Sequence, residues 1–246
     1  MSDRSFVRFA GLAGILLALT SWVAVAVYYT LVPAEQRLPL TVGRGALSKS
    51  LSENPFGLEL FNGLIALTAV WSLFGVAAMY RRTRGVGEAW SFFATVLGMI
   101  AAAGWLAASV YDIASIQLVK QYSGSAVALD DQIRYVIDGP SPVNPLNVLT
   151  LGLTSIWFLV VALLMPRSGF PRLLQILGFV AFADLAAGFI ASLFGITTLS
   201  IATRVIAGGV GGPLFWLWLG ILLWRDPREG PSPQAAAAAA TAARYG

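Results

Sequence analysis

The stretch FADLAAGFI, residues 182 to 190, sets one carboxylate in the middle of an apolar run. A charged side chain at the centre of a membrane helix costs roughly 3 kcal/mol on insertion scales, so Asp184 stands where a carboxylate is expensive and is by default a functional-site candidate. A neutral carboxyl there donates a hydrogen bond or carries a proton, which is relay chemistry; a charged one needs a cation. Arg204 is the candidate cation, at the start of the next apolar stretch with Ala207, Gly208 and Gly211 on its own helical face. Without chemistry, the same residues form a buried ion pair that fixes helix packing.

Glu59 and Asp112 repeat the pattern of a polar end above a face of small residues. Glu59 is followed by Asn62, Gly63 and Ala66, and Asp112 is preceded by Ala108 and Gly104. Converging around one cavity, the two carboxylates would make a general acid–base pair. Interhelical hydrogen bonding or plain solvation near an interface accounts for them equally without chemistry.

The run Gly208-Gly209-Val210-Gly211-Gly212-Pro213 is the third feature. Proline removes a backbone donor and bends a helix, and interrupted helices at mid-membrane line transporter sites because their freed backbone groups need water or a ligand. The competing reading is a tight helix crossing through Gly208 and Gly212. The run is not a phosphate loop, since it lacks the following Lys-Ser/Thr and a preceding strand. Trp216, Trp218 and Trp224 are read as an interfacial belt rather than an aromatic box.

Cysteine and histidine are both absent from the 246 residues. That removes thiolate and imidazole metal sites, histidine-ligated haem, Ser-His-Asp triads and cysteine nucleophiles. No metal site and no cofactor are expected.

The elements that must position these residues are membrane helices. Only 11% of residues are charged and 57% are hydrophobic, with a mean hydropathy of +0.75, against about 25% charged in soluble domains. Apolar stretches of spanning length, about 20 residues, run over 6–32, 56–80, 89–112, 146–166, 172–195 and 199–224. The expected fold is therefore all-α, a polytopic bundle of six transmembrane helices over residues 1–226. The first stretch is too long for the core of a signal peptide, about 7 to 15 residues, and is read as a retained helix.

Asp184 lies about 18 Å from each boundary of the fifth span at 1.5 Å per residue, too deep for so short a side chain to reach water. Ala181, Ala187 and Gly188 share its face and mark a close helix seam, while Phe179, Phe182 and Phe189 are expected to face lipid.

Arginines and lysines give the orientation. With the N-terminus inside, that side carries Arg4, Arg8, Arg81, Arg82, Arg84, Arg167, Arg172, Arg225, Arg228 and Arg244, against Arg37, Arg44, Lys49, Lys120, Arg134 and Arg204 outside. Both termini are expected in the cytoplasm. This distribution, at the ends of apolar segments, also explains a pI near 9.7 without a nucleic-acid partner.

The outer connections, 33–55 and 113–145, exceed the about 12 to 15 residues typical of a structureless loop. An amphipathic surface helix is expected around Leu129, Ile133, Val136 and Ile137, and a weaker one around Leu47 and Leu51. Residues 227–246, Pro-Ser-Pro followed by an alanine run, form a cytoplasmic tail. The second and fourth spans share an Asn-Pro start (Asn54-Pro55, Asn144-Pro145) and a tryptophan eight residues before a methionine, Trp71 to Met79 and Trp157 to Met165. Both an internal duplication and the frequency of Asn-Pro helix starts account for that.

The opening RFAGLAGILLAL and the ending GGPLFWLWLGILLWR resemble the first and last helices of small six-helix bacterial membrane proteins classed as a domain of unknown function. The resemblance implies a multi-pass protein of the bacterial cytoplasmic membrane and transfers no catalytic or binding residue. The expected function is a non-catalytic component: an accessory subunit of a larger membrane assembly, or a binder of a lipid-like or small apolar ligand in an outward-facing polar cavity. The alternatives are a small proton-coupled transporter using Asp184 and a membrane enzyme using Glu59 and Asp112.

Overall fold

In lipid a spanning segment must satisfy its own backbone groups, which the α-helix does within one segment. The computed structural model describes residues 3–37, 44–122, 145–196, 199, 202, 203 and 206–227. Its elements are α1 (Asp3–Thr30), α2 (Ala34–Arg37), α3 (Arg44–Glu53), α4 (Phe56–Thr83), α5 (Glu88–Tyr122), α6 (Pro145–Leu164), α7 (Arg172–Leu193) and α8 (Gly212–Arg225). A 3₁₀ turn (Pro166–Ser168) joins α6 to α7, and a π-helical segment (Ala207–Gly211) leads into α8. Six helices, the last being Ala207–Arg225, are long and apolar enough to cross a membrane. The expected surface helix around residues 129–137 and the tail from Arg228 onward lie outside the described residues.

Each long helix packs on its neighbour in sequence, and α8 closes the bundle against α1. Small residues make the contacts. A Cβ on Gly11 would lie 2.6 Å from the backbone nitrogen of Trp224, and one on Gly220 would lie 2.6 Å from the carbonyl oxygen of Gly11. Gly14 faces the same stretch of α8. The large apolar side chains Leu19, Val23, Ile100, Leu149, Val180 and Ile190 point outward instead, the arrangement expected where lipid is the solvent. α7 and α8 also touch over the described residues.

The bundle interior is aromatic. Trp157 of α6 and Trp216 of α8 stack with centroids 5.4 Å apart and planes 11° from parallel, and Phe158 meets Phe215 edge-on at 4.9 Å. Rings of this size fit because glycines lie beneath them: Gly75 of α4 under Trp216, and Gly98 of α5 under Trp157. Trp216 is therefore not interfacial. Trp218 also packs against this core, and of the three only Trp224 is well exposed. The same comparison separates the two spans with matching Asn-Pro starts. Met79 and Met165 are both buried, but Trp157 fills the core while Trp71 lies at its edge against Phe74.

One boundary differs from the sequence reading. α5 continues ten residues past Asp112, because Ser115, Ile116 and Val119 extend its buried stripe beneath Leu51 of α3 and Leu58 of α4. Its 35 residues span about 52 Å, well beyond a hydrocarbon core of about 30 Å. The buried amide of Gln36 ties the neighbouring connection together, reaching the carbonyl oxygens of Ser50 at 2.9 Å and Asn54 at 3.1 Å. At the opposite end Arg82 pairs with Asp226 at 3.5 Å and lies over Phe170, and Arg81 lies over Phe6 at 4.4 Å. The bundle thus has a Gln36 end and an Arg82 end.

Candidate functional site

The buried face of α7 is a stripe of Leu174, Gly178, Ala181, Leu185, Gly188 and Ser192. Asp184 borders that stripe. Its side chain is half-buried, and Oδ2 is enclosed by protein atoms yet has no hydrogen-bond partner among the described residues. Two contacts fix what passes in front of it. Thr203 lies so close to Gly188 that a Cβ there would be 2.6 Å from its hydroxyl oxygen, and further along, Phe215 lies against Gly178. Asp184 sits between these anchors, so the chain running antiparallel past it is the π-helical segment Ala207–Gly211. That segment is in contact with α7.

Local sequence explains the π geometry. The amide of Gly212 bonds to the carbonyl of Ala207, five residues back, and a Cβ on Gly212 would lie 2.7 Å from that carbonyl oxygen. Pro213 has no N–H to offer Gly209, four residues back. The freed carbonyl is taken by another helix: Trp22 Nε1 of α1 donates to Gly209 O at 3.0 Å. π-Helical turns of this kind are rare and frequently occur at functional sites. The tight crossing through Gly208 and Gly212 is not what the glycines serve. A Cβ on Gly208 would meet nothing within 4 Å, Gly211 and Gly212 face their own helix, and the close crossing occurs lower, at Gly220.

The face assignment of the phenylalanines also changes. Phe182 and Phe189 pack against the core, and Phe189 lies 3.1 Å from a Cβ built on Gly152 of α6. Val180, Ile176 and Ile190 take the lipid-facing positions. The glycine on α6 makes room for a ring that helical periodicity alone directs outward. Arg204 lies outside the described residues.

At the Gln36 end several polar side chains are held by hydrogen bonds. Gln117 donates to Glu59 Oε1 at 2.6 Å. Asp112 lies on the buried stripe of α5, about 140° around the helix from Gln117 at 3.6 residues per turn. Asn62 is buried and bonds to Leu58 O of its own helix at 3.1 Å. Thr150, Ser155 and Ser192 likewise bond to carbonyls three or four residues back, the usual way a membrane helix hides a hydroxyl. Trp105 adds one cross-helix bond, to Thr154 at 3.3 Å.

Among the described residues no three His, Cys, Asp or Glu side chains gather as a metal would need. Two concavities lie at the Arg82 end. One, about 100 Å³, is lined by Arg82, Phe170, Leu222 and Asp226. The other, about 410 Å³, is lined by Trp90, Val160, Leu163, Leu164, Pro166 and Arg167.

Sequence reasoning singled out Asp184 and the glycine run separately, but not Trp22 as the donor to that run, nor Gln117 as the partner of Glu59. The available signal for Trp22 was a tryptophan deep in the first span, whose N–H must find an acceptor when buried. No family model matches the chain, and no curated protein and no solved structure matches it.

Proposed function

We propose that the protein is a non-catalytic component of the cytoplasmic membrane. It binds a hydrogen-bond-donating group, carried by a lipid-like ligand or by a neighbouring subunit, in the seam between α7 and the π-helical segment. The observation that carries this reading is Asp184 Oδ2, a buried acceptor with no partner among the described residues, on the helix that the π-helical segment contacts. A buried polar atom left unmatched in lipid is costly, and an incoming donor removes that cost. The aromatic core fills the bundle axis, so access runs from the lipid side.

The ten-to-six excess of arginine and lysine on that side supports a cytoplasmic position for both termini. The test is native mass spectrometry of protein extracted gently from its own membrane. A discrete added mass supports the reading, and a bare monomer under conditions that keep annular lipid opposes it.

A second reading is favoured by one specific juxtaposition: an intramembrane carboxyl beside an irregular, glycine-rich helix segment. That is the layout of a proton-coupled transporter, with Asp184 carrying the proton and the Ala207–Gly211 segment moving. It requires that Asp184→Asn abolish proton-driven uptake in reconstituted vesicles while the protein still folds; unchanged uptake removes it.

A further inference from the structure

At the Arg82 end, Leu164 of α6 reaches Gly87, the residue just before α5, 3.2 Å from a Cβ built there. Below that contact α5 and α6 leave the concavity of about 410 Å³. Its walls are unlike each other in chemistry. Val160, Leu163 and Leu164 give an apolar surface about a turn long on α6, and Leu163 is outward-facing. Trp90 forms the other wall, 60% exposed and edge-on to Phe93 at 6.0 Å. The rim is Pro166 and Arg167, where the apolar run of α6 ends. Arg167 is exposed and makes no ion pair among the described residues. Glu88, at the start of α5, does not line the groove.

An apolar slot, an amphipathic tryptophan at its mouth and an uncommitted guanidinium at its rim match one kind of molecule. We infer that this groove binds an anionic phospholipid, with the phosphate on Arg167, the glycerol region against Trp90 and an acyl chain along Val160 and Leu163. Charge complementarity selects the occupant: a second helix seated there would bury Arg167 without an anion, whereas a phosphate gives the guanidinium a bidentate partner. Tryptophan at headgroup depth and a basic residue just beyond the apolar zone are the recognised anchors of such an interface. The site belongs to α5 and α6 and does not depend on the reading of the α7 seam.

The experiment is native mass spectrometry of the full chain in mild detergent, titrated with dioleoyl phosphatidylglycerol or dioleoyl phosphatidylcholine. The wild type should retain the anionic lipid roughly five-fold better, the factor about 1 kcal/mol per surface arginine implies. Arg167→Gln should remove that preference, whereas Arg8→Gln, an exposed arginine on α1, should keep it. Brominated phosphatidylglycerol should also quench the wild type more than Trp90→Phe, a readout that a folding defect in Arg167→Gln would not affect. Equal retention of the two lipids, a preference that survives Arg167→Gln, or quenching unchanged in Trp90→Phe would overturn the proposal. So would loss of the preference on adding inorganic phosphate at millimolar concentration, since that would make the occupant a free anion rather than a lipid.

Discussion

The indole nitrogen of Trp22 lies 3.0 Å from the carbonyl oxygen of Gly209 and donates to it. Pro213, four residues beyond Gly209, makes that carbonyl available. One proline thus opens a backbone acceptor in α8's approach, and one tryptophan on α1 closes it, holding the π-helical segment beside Asp184.

The pair can be tested as a cycle. Trp22→Phe keeps most of the ring and removes the donor, and should cost about 1 kcal/mol, within the range of interhelical hydrogen bonds in membranes. In a Pro213→Ala background the restored N–H can bond Gly209, so the same substitution should cost clearly less. Thermal unfolding in mild detergent measures both; equal losses would show that Pro213 is not what frees the carbonyl.

The glycines divide into two classes. Gly220→Ala drives a methyl into the backbone of α1 and should destabilise by about 1 to 3 kcal/mol, as overpacking does. Gly63→Ala meets nothing within 4 Å and should be neutral or stabilising by up to about 1 kcal/mol from helix propensity. Melting temperatures of the two variants, measured side by side, check the α1–α8 crossing.

Trp216 and Trp224 lie on one helix in opposite environments, the first stacked in the core and the second exposed. Trp216→Ala should cost about 3 to 5 kcal/mol, the range for emptying a large buried aromatic site. Trp224→Ala should cost far less. Comparable losses would mean that the aromatic stack does not organise the bundle.

How much of this the sequence carried depends on the kind of signal. Six spans follow from composition and run length, because lipid leaves the backbone so few alternatives. Asp184 was legible for the same reason, being expensive where it stands. What periodicity could not supply was the partner across a helix pair. Phe189 faces inward because Gly152 on another helix leaves space, and Trp216 is core because Gly75 lies under it. α5 outruns its apolar window since Ile116 and Val119 find Leu51, a residue that the sequence places on a short amphipathic helix without showing what it packs against. The glycine run suggested a crossing or a break; it is a π-helical segment, chosen by Pro213 and satisfied by Trp22.

On the proposed reading, Asp184 is the acceptor for a group bound in the α7 seam. This role is tested most directly by native mass spectrometry of the wild type and of Asp184→Leu, both extracted gently from the same membrane. The account predicts a discrete added mass on the wild type that Asp184→Leu loses while its melting temperature stays equal or rises, since an unmatched polar group has been removed. A mass retained undiminished by Asp184→Leu would contradict it.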